Sequence, residues 1–182
     1  KQYIDMYNNV PCVGHANPHV VERMTAQLGL LNVHSRYLSE PIIEYAERLT
    51  GHHAPGITSA VFTCTGTEAN EVAMAMATRV TGGTGFICSD AAYHGNSKEV
   101  GRLTRAGSRE PDPEIRSIPF PQRYRPLTAN LPDAELCEQY LEELDKQIAG
   151  LKEDGIILAA LLVCPLFANE GLPDVPAGFM EK

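Results

Sequence analysis

Basic residues are scarce and scattered in this chain: 15 lysines and arginines stand against 23 aspartates and glutamates in 182 residues, giving a formal net charge of −8 at pH 7. The missing basic cluster excludes the concentrated positive face that nucleic acid or an anionic membrane surface needs. A small anionic ligand can still bind locally. Long apolar runs are missing too. No stretch approaches the ~20 residues of a membrane span, and the opening Lys-Gln-Tyr-Ile-Asp-Met-Tyr has neither a signal-peptide core nor an initiator Met. The expectation is a cytoplasmic protein without membrane or nucleic-acid partners, read from a point inside a longer sequence. There is no repeat, no low-complexity tract and no CxxC spacing. The cysteines at 12, 64, 88, 137 and 164 are odd in number, and Cys64, Cys88 and Cys164 lie in or at the ends of apolar strand-like runs. They are expected to be reduced and mostly buried.

What is present has the texture of an ordinary α/β protein, 43% hydrophobic and 21% charged. Its length suffices for a sizeable core in one domain or slightly more. Residues 3–7 suggest a short strand. Asn17-Pro18 supplies an N-cap and a helix-opening proline, and the helix running to about Leu31 places Val20, Val21, Met24, Leu28 and Leu31 on one face. Ser39-Glu40-Pro41 opens a second helix with the stripe Ile42, Ile43, Ala46 and Leu49 and a stop at Gly51. The linker between them, Val33-His34-Ser35-Arg36-Tyr37-Leu38, is rich in side chains able to contact a ligand.

From residue 58 onward strands alternate with helices. The reading is strand 58–64, helix 68–80 ended by Gly82-Gly83, strand 85–88, a proline-rich connection 111–132 with a strand at 115–118, helix 133–152, and strand 156–163. The helix 133–152 carries Cys137, Leu141, Leu144, Ile148 and Leu151 in register. The continuous apolar run 156–163 predicts a strand buried on both faces of a parallel sheet. The βαβ alternation predicts a doubly wound, mostly parallel sheet with helices on both faces, where ligands bind beyond the carboxyl ends of the strands.

Two loops qualify. Ala60-Val-Phe-Thr-Cys-Thr-Gly66-Thr67-Glu-Ala-Asn-Glu runs from strand through a Gly-Thr turn into a helix start. Such a start offers unpaired N–H groups and the positive end of the dipole to an anion. Gly66 permits close approach, and the Thr67 hydroxyl is expected to cap the helix and touch the anion. Tyr93-His94-Gly95 follows the next strand, where a ring can cover a flat heteroaromatic ligand. Standing alone, Tyr93 and His94 read as structural residues; beside a phosphate seat they describe a site for a phosphorylated planar cofactor. His15 and His19 have metal-ligand spacing, but Asn17-Pro18 separates them and a turn and a helix start account for them better. Lys98 reads as a solvent-facing helix-start lysine rather than a nucleophile.

The ordered set Tyr3-Ile-Asp-Met-Tyr-Asn-Asn-Val-Pro-Cys-Val-Gly-His15, Asn17-Pro18, Arg36-Tyr37-Leu38, Thr65-Gly-Thr-Glu-Ala-Asn-Glu71, Thr81-Gly82 and Tyr93-His94-Gly95 resembles the class III pyridoxal-phosphate-dependent aminotransferases over nearly the whole chain. Asn8-Asn9-Val10, Arg36-Tyr37-Leu38 and the Tyr124-Arg125 loop look closest to the branch of alanine–glyoxylate-type aminotransferases and amino-alcohol phosphate phospho-lyases.

The resemblance implies a fold type I transferase, with residues 1–38 belonging to the small domain and linker and 39–182 to an incomplete large domain. It implies pyridoxal 5′-phosphate as cofactor, with Gly66 and Thr67 at its phosphate, Tyr93 stacked on its ring and His94 beside it. Val10, Cys12, Arg36 and Tyr37 match positions near the substrate entrance. It further implies a homodimer with its site at the interface, and transfer of an amino group from an amino acid or amine to a 2-oxo acid. A phospho-lyase or racemase on the same cofactor, and a non-enzymatic binding module, stay open. The family's acidic residue after the buried strand is Cys164 here, with Glu170 nearby as a substitute. The Schiff-base lysine and the aspartate facing the pyridine nitrogen are expected beyond Lys182.

Overall fold

The computed structural model describes residues 1–4, 7, 10–34, 36–105 and 111–182. Contacts divide the chain into two units, Lys1–Ala60 and Val61–Lys182.

The first unit holds α1, Pro18–Leu30, and α2, Glu40–Gly51. The side chain of Asn17 accepts from the N–H groups of His19 (3.1 Å) and Val20 (3.4 Å), so the expected N-cap forms. Ser39 occupies the cap position of α2 without a side-chain capping bond. Neither helix buries a residue; the stripe Val20, Val21, Met24, Leu28 and Leu31 is exposed, because nothing within this unit covers it. The expected strand at 3–7 does not form at Tyr3 and Ile4; Asp5 and Met6 lie outside the described residues, as do Asn8 and Asn9.

In the second unit, α3 spans Gly66–Thr81, β1 Gly85–Ser89, α4 Lys98–Arg102, β2 Ile115–Ile118, α5 Asp133–Glu153 and β3 Leu158–Leu161. The strands form a parallel sheet in the order β2-β1-β3. Phe86 stands opposite Ile115 and Ser89 opposite Ile118 on one side, while Phe86 faces Ala160 and Ile87 faces Leu161 on the other. Alternation along β1 sends Phe86 and Cys88 to one face, packed with Met74 of α3, Val100 of α4 and Leu103. Ile87 goes to the opposite face with Ile118 and Leu151 of α5. Helices therefore cover both faces, as the alternation predicts. Each large aliphatic or aromatic side chain fully buried here contributes roughly 1.5–3 kcal/mol.

α3 ends at Gly82, whose φ of +71° is the left-handed cap that a Cβ would disfavour, and its N–H donates to the Thr78 carbonyl at 2.9 Å.

Several expectations need correction. Residues 58–64 join no strand, and Val61 is 66% exposed. The apolar run 156–163 yields the shorter β3, partly exposed because it pairs with β1 on one side alone among the described residues. In α5 the buried residues are Leu136, Cys137, Tyr140 and Leu151, whereas Ile148 is exposed, so the inward stripe is rotated toward Tyr140. The cysteines are free, but only Cys88 and Cys137 are buried; Cys12 and Cys64 are exposed and Cys164 is intermediate. Cys64 is open because the segment preceding α3 has no covering layer in its unit.

Candidate functional site

The order β2-β1-β3 makes the carboxyl end of β1 a switch point. The chain leaves it for β2 by way of α4, and β3 arrives on the other side by way of α5 on the opposite face. Three segments meet there: the start of α3, residues 93–95 after β1, and residues 164–172 after β3.

The start of α3 is closed by a reciprocal capping pair. The Thr65 hydroxyl accepts from the Glu68 N–H at 3.1 Å, and the Glu68 carboxylate accepts from the Cys64 N–H at 2.7 Å. Thr65, not Thr67, is thus the capping residue. Thr67 stands in the first turn, with its hydroxyl close against Gly95. The sequence carries the matching signal, Thr-x-x-Glu ahead of a helical run. With Glu68 and Ala69 bonded to Thr65, the N–H groups of Gly66 and Thr67 make no hydrogen bond among the described residues. A Cβ built on Gly66 would meet nothing within 4 Å, so the space on that side of the glycine is open.

Residues 93–95 are fastened to α3. Asn70 Nδ2 donates to the His94 carbonyl at 2.7 Å, and Gly95, at φ +149°, lies so close that an added Cβ would stand 2.6 Å from Thr67 Oγ1. Thr104 Oγ1 donates to the Gly95 carbonyl at 2.9 Å and accepts from the His94 N–H at 3.3 Å. Tyr93 is 45% exposed, and its hydroxyl accepts from Asn96 Nδ2 at 2.8 Å. The structure thus brings the loop bearing Tyr93 and His94 against the start of α3, where Gly66 and Thr67 stand. Of the residues that hold them, Asn70 belongs to the Thr65–Glu71 motif, which assigns it no role, while Asn96 and Thr104 belong to none of the quoted motifs.

From the β3 side, Asn169 Nδ2 donates to the Tyr93 carbonyl at 3.4 Å, and the hydroxyl of the fully buried Ser89 donates to Glu170 Oε1. His94 is held below its ordinary pKa chiefly by burial, against the opposing pull of the Glu170 charge and the Leu162 carbonyl. It is therefore mostly uncharged at neutral pH. Lys98 is exposed at the first position of α4, as expected.

Val10, Cys12, Arg36 and Tyr37 belong to the first unit. Val10 and Cys12 are exposed around a turn closed by the Gly14 N–H on the Pro11 carbonyl at 2.8 Å. The Arg36 N–H donates to His34 Nδ1 at 3.1 Å, and Tyr37 lines a cavity of about 200 Å³ with Gln27, Leu31, Val33, Pro41 and Ile42. A further cavity of about 460 Å³ in the second unit, lined by Met74, Thr78, Phe86, Glu99, Arg102 and Glu114 among others, touches none of the four converging residues. Among the described residues no group of three His, Cys, Asp or Glu side chains gathers as metal ligands, and no helix is long and apolar enough to cross a membrane.

Comparison with known proteins places this geometry. The chain is 26% identical over 187 residues to an alanine–glyoxylate aminotransferase 2-like protein of Drosophila melanogaster, covering 99% of this chain and 38% of that protein. It is 33% identical over 182 residues to acetylornithine aminotransferase of Mycobacterium leprae, covering 98% and 40%. Among solved structures, a phospholyase from Arthrobacter in complex with phosphoethanolamine matches with a TM-score of 0.86 and 38% identity, over 98% of this chain and 42% of that one. A taurine:2-oxoglutarate aminotransferase from Bifidobacterium kashiwanohense, in complex with PLP and glutamate, matches at 0.77 and 26%, over 92% and 39%. The chain thus spans about two fifths of the length of these relatives. The sequence profile described as Aminotransferase class-III matches residues 1–182, and the chain belongs to that family.

Proposed function

We propose that this chain seats the phosphate and ring of pyridoxal 5′-phosphate in an aminotransferase that moves an amino group from an amino acid or amine to a 2-oxo acid. The observation that carries this reading is the pair of N–H groups at Gly66 and Thr67 that make no hydrogen bond among the described residues, on a helix fastened through Asn70 to the loop bearing Tyr93. The donor set suits the group. A helix start favours a dianion, and a half-exposed tyrosine beside it suits a flat pyridine.

The cofactor, when bound, supplies an electron sink for proton movement at the carbon bearing the amine. The residues of this chain bind and orient. Gly66 and Thr67 donate backbone hydrogens to the phosphate, Tyr93 covers the ring, and Asn96 fixes the tilt of Tyr93 through its hydroxyl. Uncharged His94 keeps that wall free of a competing positive charge. Val10, Cys12, Arg36 and Tyr37 frame the substrate, residues 1–38 form part of the small domain, and the protein works as a cytoplasmic homodimer.

A second reading, phospho-lyase, is favoured by the higher structural and sequence similarity to the Arthrobacter phospholyase than to the Bifidobacterium aminotransferase. The intact protein separates them. Supplied with pyridoxal phosphate, an amine donor and pyruvate or glyoxylate, it should form a new amino acid; supplied with phosphoethanolamine, a phospho-lyase would instead release inorganic phosphate. A protein that takes up no pyridoxal phosphate, judged by the absence of a visible absorbance band, would refute both.

A further inference from the structure

The chain leaves the candidate site at Gly95 and comes back to it at Thr104. In between, α4 turns the backbone around, and Val100 and Leu103, both fully buried, root the excursion in the core shared by α3 and the sheet. The Leu103 N–H donates to the Val100 carbonyl at 3.0 Å and the Thr104 N–H to the Gly101 carbonyl at 3.1 Å, so the return is a hydrogen-bonded turn. It lays Thr104 and Arg105 beside residues 92–95.

There the returning segment ties down the backbone on both sides of Tyr93. The Arg105 N–H donates to the Ala92 carbonyl at 2.8 Å. The Thr104 hydroxyl spends its proton on the Gly95 carbonyl at 2.9 Å and a lone pair on the His94 N–H at 3.3 Å, which uses both capacities of one group. Asn70 of α3 takes the His94 carbonyl between them. A flat ligand held at the start of α3 and covered by Tyr93 touches two segments whose separation the covalent chain does not set. Side-chain bonds set it here: Asn70 fixes the loop to α3, and Thr104 fixes it to a turn rooted in the core. A side chain of the same shape without a hydroxyl would leave the His94 N–H and the Gly95 carbonyl without these partners.

We propose that Thr104 is a positioning residue of this site: its hydroxyl brackets the His94-Gly95 peptide and so holds Tyr93 at the distance and tilt from the start of α3 that the bound cofactor needs. The proposal rests on the reading that this loop covers the cofactor ring.

The test uses the intact protein as the parent, as Thr104→Val, which keeps the shape of threonine and removes the hydroxyl, and as Thr104→Ser, which keeps the hydroxyl. Exchange of the His94 amide hydrogen with solvent reads the bond without cofactor. It is followed by NMR on protein isotope-labelled at histidine, the signal being identified by its loss in His94→Asn. Absorbance titration with pyridoxal phosphate reads affinity, and visible circular dichroism of the saturated protein reads how the ring is held. Thr104→Val should exchange the His94 amide roughly tenfold faster, bind pyridoxal phosphate several-fold more weakly and change the ellipticity per bound cofactor. Thr104→Ser should bring each reading back toward the parent. Should Thr104→Val fail to fold, Thr104→Ala takes its place with the same expectations. A folded protein without the hydroxyl overturns the proposal, and leaves the cofactor reading intact, if its His94 amide exchanges as in the parent or its bound cofactor keeps the parent's ellipticity. A parent that binds no pyridoxal phosphate overturns the cofactor reading and the positioning role together.

Discussion

Gly95 separates what holds the candidate site together from what it binds. Replacing Gly95 with Ala forces a side chain onto a backbone at φ +149° and sets a Cβ 2.6 Å from Thr67 Oγ1, 2.9 Å from Val100 Cγ1 and 3.0 Å from Thr67 Cβ. The Thr67 hydroxyl can rotate away, but Val100 is fully buried in the core between α3 and the sheet and cannot. The 93–95 loop must therefore lift from α3, stretching the bond from Asn70 to the His94 carbonyl. Backbone strain of about 1–3 kcal/mol and overpacking of about 1–3 kcal/mol together give roughly 2–6 kcal/mol, on the order of 10 °C in melting temperature for a chain of this size. The control is Gly66→Val. That site is helical and open, so melting should change little, while the branched side chain fills the space open at that glycine and weakens pyridoxal phosphate at least tenfold, about 1.4 kcal/mol. Thermal unfolding of the intact protein and absorbance titration with the cofactor read the two effects separately. A Gly95→Ala protein melting within a degree or two of the parent would refute the argued contact, and Gly66→Val with unchanged affinity would refute the phosphate seat.

Four further outcomes follow from the same contacts. Tyr93→Ala should loosen the cofactor with little loss of fold, since the residue is half exposed; unchanged affinity in a titration contradicts its stacking role. Thr65→Ala removes the acceptor of the Glu68 N–H and should cost about 1 kcal/mol in denaturant unfolding. Arg102 bonds Asp112 at 2.7 and 3.0 Å and Glu114 at 2.5 Å, and its guanidinium is the main cause holding the Asp112 carboxyl below its ordinary 3.8. A depressed folded-state pKa gives stability that is present above that value and lost as pH falls through the folded pKa, so Arg102→Met should flatten the acid limb of stability below pH 4. Burial pushes the Cys88 thiol up to about 12. With a thiol reagent at neutral pH, Cys12 and Cys64 should react promptly and Cys88 and Cys137 only on unfolding; fast reaction of Cys88 would contradict its packing.

Local signals were legible where the physics that forms an element is itself local. Asn17-Pro18 caps α1, Gly82 ends α3 in the left-handed conformation, and the alternation around Phe86, Ile87 and Cys88 divides between two helical layers. The Tyr93-His94-Gly95 loop follows β1, where parallel strands deliver their loops to one edge, whereas Gly66 and Thr67 follow a segment that forms no strand. What joins those loops is non-local: Asn70 reaches the His94 carbonyl across 24 residues and Ser89 reaches Glu170 across 81. No periodicity encodes which amide or hydroxyl will find which carbonyl at such separations.

The misread segments share one cause. Residues 58–64 and 156–163 carry the apolar content of sheet strands, yet the first forms no strand and the second, as β3, pairs with β1 alone among the described strands. Hydrophobic pattern records that a surface must be covered; it does not record by which segment. Ile157 and Leu161 remain exposed on β3, and Val61 and Phe62 remain exposed before α3. Burial is a property of pairs of segments, whereas a run of apolar residues is a property of one. The same distinction explains α5. Its stripe was predicted from one helix, but the Tyr140 hydroxyl donates to the Gln122 carbonyl at 3.2 Å and its ring meets Phe179 edge-on at 6.2 Å. Contacts made outside the helix turn its inner face toward Tyr140 and leave Ile148 open.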